Sequence, residues 1–262
     1  MEKFEQEKER EVYHAKIDFF TNVAHEIRTP LTLIKGPLEN IILKKQVDAE
    51  TREDLNVMKQ NTERLLNLTN QLLDFRKTES QGFRLNFAKC NITEVLKETH
   101  VRFTSLAKQK GLDFTLQVPE KDFYAHVNQE AFTKIISNLL NNGMKYAESY
   151  VHVMLEAPQR DDNNLFRIRT VNDGVIIPDA MKEEIFKPFV RFNEQEDGKV
   201  TTGTGIGLAL SRSLAEFHLG TLVMEAGEES NIFCLTLPVV QDTTITLTPE
   251  AEVEIERVNE IP

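Results

Sequence analysis

The chain has 262 residues, of which 40% are hydrophobic and 28% charged, a composition typical of a globular protein. Its net charge of −11 comes without a basic block, so we expect no nucleic-acid partner. No run approaches 18 consecutive apolar residues, and the sequence therefore predicts no membrane contact for this chain.

The first 80 residues carry a heptad pattern twice. Apolar or small residues recur at alternating steps of four and three, at Tyr13, Ile17, Phe20, Ala24, Ile27, Leu31, Ile34, Leu38 and Ile41. After a polar break at 44–53 the spacing returns, at Leu55, Met58, Thr62, Leu65, Thr69 and Leu72. This seam predicts two antiparallel helices. Because one hairpin cannot bury its seam alone, we expect a homodimeric four-helix bundle.

Pro30 and Pro37 fall inside the first of these predicted helices. A proline in a helix interior removes one backbone hydrogen bond and costs about 3 kcal/mol. The heptad continues unbroken through both prolines, so the sequence predicts a helix that continues, with a kink near Glu26.

From about Cys90 onwards, short helices alternate with strands. A helix at 92–110 is predicted between an N-cap, Asn91, and a C-cap, Gly111. Further helices are predicted at 129–146, 179–186 and 206–217, and strands at 112–116, 123–127, 151–156, 165–170, 221–225 and 232–237. Helices among mostly hairpin-spaced strands predict one mixed sheet with helices on one face. The predicted class is α+β, with a helical hairpin at 1–80, an α/β sandwich at 88–238 and an acidic linker or tail at 239–262.

His25 is the first candidate for chemistry. It follows the seam residue Ala24, which directs its side chain to the flank of the predicted bundle, towards solvent. Glu26 is its neighbour, and Thr29 lies one turn further along the same face. A carboxylate can hold one imidazole nitrogen protonated and leave the other as a nucleophile. An isolated histidine on a helix is more often structural or merely exposed, so His25 alone does not define a site.

A glycine loop, Gly203-Thr204-Gly205-Ile206-Gly207-Leu208, opens the helix predicted at 206–217. No lysine–serine pair follows it, which excludes a P-loop, and no strand precedes it, which argues against a dinucleotide fold. Its backbone amides can approach phosphate groups at the start of a helix, where the dipole favours anions. The polar segment 193–202 before it suits a lid.

Three polar residues share one face of the helix predicted at 129–146. Asn138, Asn142 and Lys145 are spaced four and three apart. Asparagine is a poor helix former, so its presence there needs a reason. An amide oxygen is a suitable ligand for Mg²⁺, and a lysine suits phosphate. A plain polar helix face is the alternative interpretation.

Two further motifs, Asn172-Asp173-Gly174 and the segment 185–192, precede the glycine loop. With them the chain resembles the catalytic part of sensor histidine kinases, in which an H box, here His25 to Pro30, is followed by N, G1, F and G2 boxes. The resemblance covers about residues 10–238. The opening segment 16–39 looks most like the hybrid, membrane-bound sensors of bacterial two-component systems.

The resemblance implies ATP-dependent autophosphorylation of His25 and transfer of the phosphoryl group to an aspartate of a response-regulator receiver, in trans or in the same parent chain. Glu26 would be the general base or orienting group, and Thr29 would position water when the reaction runs in reverse. ATP and Mg²⁺ are the implied cofactors, with Asn142 as the Mg²⁺ ligand. The other implied nucleotide contacts are Asn138, Lys145, Tyr146, Asn172, Gly174, Arg191, Gly203, Gly205, Gly207 and Leu208, with Phe186 and Phe189 anchoring the lid.

The resemblance also implies a homodimer that forms the cytoplasmic portion of an inner-membrane sensor. The G1 box departs from the family pattern Asp-x-Gly-x-Gly. Counting back from Gly174 places Asn172 at the aspartate that accepts the adenine amine, and Ile176 at the second glycine. Strand alternation sets Asp173 on the face opposite to Phe166, Ile168, Thr170 and Asn172.

Both G1 substitutions affect the predicted adenine pocket. They leave open an alternative, a pseudokinase scaffold with weak or no nucleotide turnover. An ATPase of the chaperone and topoisomerase type shares the nucleotide fold, but the H box on a heptad hairpin counts against it.

Overall fold

The computed structural model describes residues 2–43, 48–78, 84–158, 164–192, 205–225, 227 and 229–240. The chain separates into two compact units, Met1–Ser80 and Gln81–Pro262. Within the described residues, no helix combines the length and the apolar character needed to cross a membrane.

The first unit is a helical hairpin, made of α1 (Glu2–Leu43) and α2 (Ala49–Thr78). Helix α1 runs through both Pro30 and Pro37, as the unbroken heptad predicts. Helix α2 begins earlier than the polar break suggested, because Asp48 caps it. Thr51 donates its backbone N–H (2.8 Å) and its hydroxyl (2.7 Å) to the Asp48 carboxylate.

Alternate positions of the heptad seam are buried within the hairpin. The buried seam side chains are Ala24, Leu31 and Leu38 on α1 and Thr62, Thr69 and Leu72 on α2, and Leu73, Phe75 and Thr78 of α2 are buried beside them. The intervening seam residues form an exposed stripe, Ile27, Ile34, Ile41, Met58 and Leu65. Among the seam side chains that the structure describes, from Ala24 onwards, one hairpin therefore covers about half, as the heptad pattern predicts.

The second unit contains three helices and seven strands among its described residues. The helices are α3 (Ile92–Lys110), α4 (Gln129–Tyr146) and α5 (Gly207–Phe217). The strands are β1 (Ala88–Asn91), β2 (Asp113–Gln117), β3 (Tyr124–Val127), β4 (Tyr150–Glu156), β5 (Leu165–Asn172), β6 (Thr221–Glu225) and β7 (Asn231–Pro238). The caps of α3 are the predicted ones: the Asn91 side chain accepts the Glu94 N–H, and Gly111 is left-handed with φ 71°.

Five strands form one mixed sheet in the order β2-β4-β5-β7-β6, with β2 parallel to β4 and the other pairs antiparallel. Strands β1 and β3 form a separate antiparallel pair. Every second residue of β4 and β5 is buried, and the buried face packs on helices that supply core residues such as Phe132, Ile135, Leu139, Leu210 and Leu214. The predicted mixed sheet with helices on one face is confirmed.

Three local features differ from the sequence prediction. Strand β1 was not predicted, because its residues do not alternate in burial and only the pairing with β3 defines it. The helix predicted at 179–186 is two short 3₁₀ turns, Asp179–Met181 and Glu184–Phe186. It stops because Lys187, which precedes Pro188, is extended with ψ 140°.

Val239 belongs to the hydrogen-bonded framework, although the prediction began the tail there. Its carbonyl accepts the His126 N–H at 2.8 Å, and its own N–H donates to the Asn164 carbonyl at 2.9 Å. The rest of the predicted tail, from 241 onwards, lies outside the described residues.

Candidate active site

Helix α1 presents the H-box residues on its surface. His25, Glu26 and Thr29 are all exposed, whereas the neighbouring Ala24 is only 2% exposed and packs inside the hairpin. His25 and Thr29 are one helical turn apart and share a face. The imidazole is therefore accessible from solvent without any rearrangement of the hairpin core.

Arg28 fastens this turn of α1 to the second helix. Its guanidinium donates to the Asn70 side-chain oxygen at 2.7 Å, and the Thr32 hydroxyl donates to the Arg28 carbonyl at 2.9 Å. Pro30 has no N–H, so it cannot make the helical hydrogen bond to the carbonyl of Glu26. The cross-helix bond of Arg28 thus holds the turn where the helix backbone is weakest.

Helix α4 carries the N-box residues Asn138, Asn142 and Lys145, all of them half-buried. The Asn138 amide nitrogen donates to the Gly207 carbonyl at 3.3 Å and to the Ser211 hydroxyl at 3.2 Å. Asn138 therefore joins the N-box helix to the first turn of α5, the helix that follows the glycine loop.

The C-terminal end of α4 pairs a cation with an aromatic ring. The Lys145 ammonium lies 2.5 Å from the Tyr146 hydroxyl and 4.3 Å from the centre of its ring. Tyr146 itself is exposed. A phosphate arriving here would find the lysine already oriented by its neighbour.

Asn172 ends strand β5 with only 3% of its surface exposed, on the buried face predicted from strand alternation. The next loop touches the end of α4: a Cβ on Gly174 would overlap the Tyr146 carbonyl oxygen, so only glycine fits there. Ile176, at the position of the second family glycine, is exposed. The G1 loop therefore lies directly against the C-terminal end of the N-box helix.

Asp173 points away from Asn172 and holds the turn between α4 and β4. Its carboxylate accepts the backbone N–H groups of Glu148, Ser149 and Tyr150 at 3.0–3.1 Å, together with the Ser149 hydroxyl. Burial raises the pKa of Asp173, but the hydrogen bonds from Ser149, Tyr150 and Glu148 outweigh it and hold the pKa well below its usual range. Asp173 is a structural anion of this turn.

The F box and the glycine loop meet at the two ends of the predicted lid. Phe189 has φ 67° and donates its N–H to the Gly205 carbonyl at 3.0 Å. Gly205 has φ 70°, and a Cβ there would lie 2.7 Å from the Val190 carbonyl oxygen. Gly203 lies in 193–204, outside the described residues.

The remaining predicted contacts lie around the start of α5. Gly207 and Leu208 form its first turn, and both are half-buried, as is Arg191 at the end of the F-box segment. The N-cap, Ile206, has no side-chain acceptor for the amides of this turn. An anion at this end would bind those amides and complement the helix dipole.

The N, G1, F and G2 boxes are thus joined by direct contacts in the second unit, while the H box lies on the first. Two family models match the chain. The "His Kinase A (phospho-acceptor) domain" covers residues 15–81, and the "Histidine kinase-, DNA gyrase B-, and HSP90-like ATPase" covers residues 127–252. The chain belongs to the sensor histidine kinases. The kinase hairpin and its nucleotide-binding fold are both those implied by the motif order.

Characterised relatives agree with this assignment. The kinase is 32% identical to Histidine kinase P4 of Formosa agariphila over 94% of this chain and 18% of that protein. It is 34% identical to Hybrid signal transduction histidine kinase D of Dictyostelium discoideum over 83% of this chain and 14% of that protein. The chain therefore spans less than a fifth of either relative.

Solved structures show the same fold. ShkA full-length in complex with AMPPNP superimposes with a TM-score of 0.69 at 21% identity, over 86% of this chain and 46% of that one. Histidine kinase ThkA in complex with response regulator protein TrrA gives a TM-score of 0.59 at 24% identity, over 90% and 66%.

The sequence did not predict several contacts that hold the candidate residues of each unit in place. Arg28 contacts Asn70, 42 residues away, and Asp173 binds a turn 23–25 residues away. Arg212 lies 3.8 Å over the Phe186 ring and donates to the Glu183 carboxylate at 2.7 Å. Their partners are distant in the chain, so no local pattern signals them.

Proposed function

We propose that this chain is an ATP-dependent protein-histidine kinase that phosphorylates His25 and passes the phosphoryl group to an aspartate of a response-regulator receiver. The observation that carries the proposal is the hydrogen bond from Asn138 to the Gly207 carbonyl, 3.3 Å long. It joins the helix that carries the candidate metal and phosphate ligands Asn142 and Lys145 to the first turn of α5, which follows the glycine loop.

The residue types on these two helices suit a magnesium nucleotide. Asn142 offers a neutral amide oxygen, which Mg²⁺ accepts as a ligand, and Lys145 offers a cation for phosphate. A Cβ on Gly207 would lie 3.8–4.0 Å from atoms of the Asn138 side chain, at ordinary van der Waals distance. Mg²⁺ bound here would neutralise charge on the phosphates. Asn172 would accept the adenine amine, and Gly174 would bring the G1 loop close to the base.

His25 would attack the γ-phosphorus through one ring nitrogen. The bond to the bridging oxygen of ADP breaks as the nitrogen–phosphorus bond forms, and the proton on the other nitrogen is held or accepted by Glu26. Both side chains are exposed on α1, which leaves room for the donor to approach. Thr29, on the same face, would position water when the phosphorylated receiver is dephosphorylated.

The exposed stripe of the hairpin supports a homodimer. Ile27, Ile34, Ile41, Met58 and Leu65 repeat at heptad spacing with their side chains uncovered in one chain. Covering them against a second copy completes a four-helix bundle and removes this apolar surface from water. ThkA was solved with a response regulator, which supports a receiver as the phosphoryl acceptor of this kinase too.

The chain would act as part of a longer protein. One relative is named a hybrid kinase, and WalK of Bacillus subtilis, named a sensor kinase, matches over 86% of this chain but 37% of its own length. These names support a longer sensor parent, which we propose is an inner-membrane protein with this portion in the cytoplasm.

A pseudokinase is the second candidate, favoured by Asn172 and Ile176 in place of the aspartate and the second glycine of the G1 box. Incubation of the purified chain with [γ-³²P]ATP and Mg²⁺ separates the two. We expect label on the wild type that is lost in acid and kept in alkali, as for a phosphohistidine. A wild type that binds ATP without labelling would establish the pseudokinase.

Two variants locate the label. His25→Gln should remove it while ATP binding stays unchanged, and Asn142→Ala should remove nearly all turnover because the Mg²⁺ ligand is lost. His152→Gln is the matched control, a histidine on β4 whose side chain is 39% exposed. Labelling that persists in His25→Gln would show that another residue is the phosphoacceptor.

A further inference from the structure

Asn231 is a buried amide that lies outside the sequence motifs. It is the first residue of β7, only 3% exposed, and it stands opposite Asn172 in the register of β5 and β7. No box of the family pattern described above includes it. It therefore sits beside the proposed base-reading residue without being assigned to the site.

All of the hydrogen bonds of this side chain go to the backbone of the G1 loop. Its amide nitrogen donates to the Gly174 carbonyl at 3.3 Å and to the Val175 carbonyl at 3.0 Å. Its oxygen accepts the Ile177 N–H at 3.0 Å. One side chain thus binds three backbone groups within four consecutive residues, 54–57 positions away in the sequence.

Asp173 anchors the start of this loop on residues 148–150, and Asn231 binds the part that follows, from Gly174 to Ile177. The loop contains no helix or strand, and its two central side chains, Val175 and Ile176, are 54% and 40% exposed. The loop nevertheless has a fixed boundary, because Gly174 packs so closely on the Tyr146 carbonyl that no side chain fits between them. A small outward shift would open this contact with the end of the N-box helix.

We propose that Asn231 is a positioning residue that clamps the G1 loop against the end of α4 and so shapes the adenine side of the nucleotide pocket. Asn231 binds Gly174 and Ile177, which lie on either side of Ile176. Ile176 occupies the position of the family's second glycine. The inference rests on the proposed nucleotide binding and adds a residue to it.

If Asn231 shapes the adenine side of the pocket, its loss should affect ligand binding in a way that loss of a merely structural residue would not. Loss of Asn231 should weaken binding of the adenine end of the ligand and leave the phosphate end alone, because the phosphates would contact α5 and Lys145 instead. Calorimetric titration of the full chain with ATP and with inorganic triphosphate separates these effects. For Asn231→Ala we expect the Kd for ATP to rise about tenfold and that for triphosphate to change less than about twofold.

The matched control is Asn91→Ala. Asn91 also binds backbone, as the N-cap of α3 through the Glu94 N–H, but it lies on the separate β1–β3 pair. It should lower the midpoint of urea unfolding and leave both Kd values unchanged. If Asn231→Ala behaves in the same way, or weakens ATP and triphosphate equally, Asn231 is only structural and the proposal is wrong.

Hydrogen exchange of the Ile177 amide tests the clamp without relying on a variant that folds. In the wild type this amide should be protected as strongly as those within β7, although it belongs to a loop. Rapid exchange would overturn the proposal. A wild type that binds neither ATP nor triphosphate would instead refute the proposed function, and a protected Ile177 amide would then leave Asn231 as a loop clamp in a protein that binds no nucleotide.

Discussion

Replacing Asp173 with asparagine tests how the G1 box is built. The carboxylate accepts three backbone N–H groups and a hydroxyl from residues 148–150. Asparagine keeps one acceptor oxygen but sets an NH₂ group opposite the Ser149 N–H, and it removes the charge from the other bonds. Hydrogen bonds to charged groups contribute about 1.5–3 kcal/mol each, but this turn is partly solvated. We expect Asp173→Asn to lower the free energy of unfolding by about 2 kcal/mol.

The assay is urea unfolding at pH 7 followed by circular dichroism, with ATP titration of the folded protein alongside. The midpoint should fall at an unchanged slope. The Kd for ATP should change less than about threefold, because Asp173 binds the α4–β4 turn, whereas the proposed contact with the adenine base is Asn172. Asp179→Asn is the control: its carboxylate is 93% exposed and bound to Lys182, so its loss should leave the unfolding midpoint almost unchanged.

The contribution of Asp173 to the free energy of unfolding should also depend on pH. Because the folded pKa of Asp173 is held below the usual 3.8, its contribution is complete above that value and declines as the pH falls through the depressed pKa. Below pH 3.8 the difference between wild type and variant should narrow by up to about 1.4 kcal/mol per pH unit. A difference below 0.5 kcal/mol at pH 7 (roughly, the level of an ordinary surface change) would refute the anion role. Loss of ATP binding in Asp173→Asn would show that Asp173 reads the base.

Three further outcomes follow from the same contacts. Gly174→Ala should lower the free energy of unfolding by about 3 kcal/mol in urea titrations, because the new Cβ would overlap the Tyr146 carbonyl oxygen. Gly36→Ala is the control: a Cβ there would have no atom within 4 Å, so the change should raise the free energy of unfolding by about 0.5–1 kcal/mol. His218 is buried, and this burial lowers the pKa of its imidazole in the folded protein. Its contribution to the free energy of unfolding should therefore be complete above pH 6.5 and be lost as the pH falls from 6.5 to the lowered pKa. His218→Gln should abolish this pH dependence. Asn172→Asp should tighten ATP binding by up to about tenfold in calorimetry and change GTP binding little, because guanine presents a carbonyl where adenine presents an amine.

Most helices and strands could be predicted from the sequence because their ends are set by residues close together in the chain, such as helix caps. Helix α3 begins and ends at the predicted caps, Asn91 and Gly111, and α4 spans the predicted 129–146. The alternation of β5 correctly placed Asn172 on the buried face. Strand β1 has no such signature, since its backbone bonds to β3 are what make it a strand.

The supporting residues of the site could not be predicted in the same way. Asp173 was placed on the correct face of its strand, yet its partners at 148–150 become neighbours only when the sheet forms. Asn231 gave one weak signal, an asparagine opening an apolar strand, where this residue type is disfavoured. A hydrogen bond between residues 23–57 positions apart is a consequence of the tertiary fold, and neither end carries a spacing rule.

Asparagine in place of the family aspartate at position 172 changes the stability of the free protein as well as the proposed contact with adenine. Asn172 is only 3% exposed. Burying an unpaired carboxylate at this position would cost several kcal/mol of folding free energy, a cost that the neutral amide of asparagine avoids. An aspartate at this position would have a raised pKa in the free protein and would gain its full hydrogen bond only with adenine present. Asn172→Asp should therefore unfold more easily than the wild type without ATP, yet be stabilised more by it. A tenfold lower Kd adds about 1.4 kcal/mol at saturating ATP. Equal stabilisation of both proteins by ATP would place the adenine amine elsewhere.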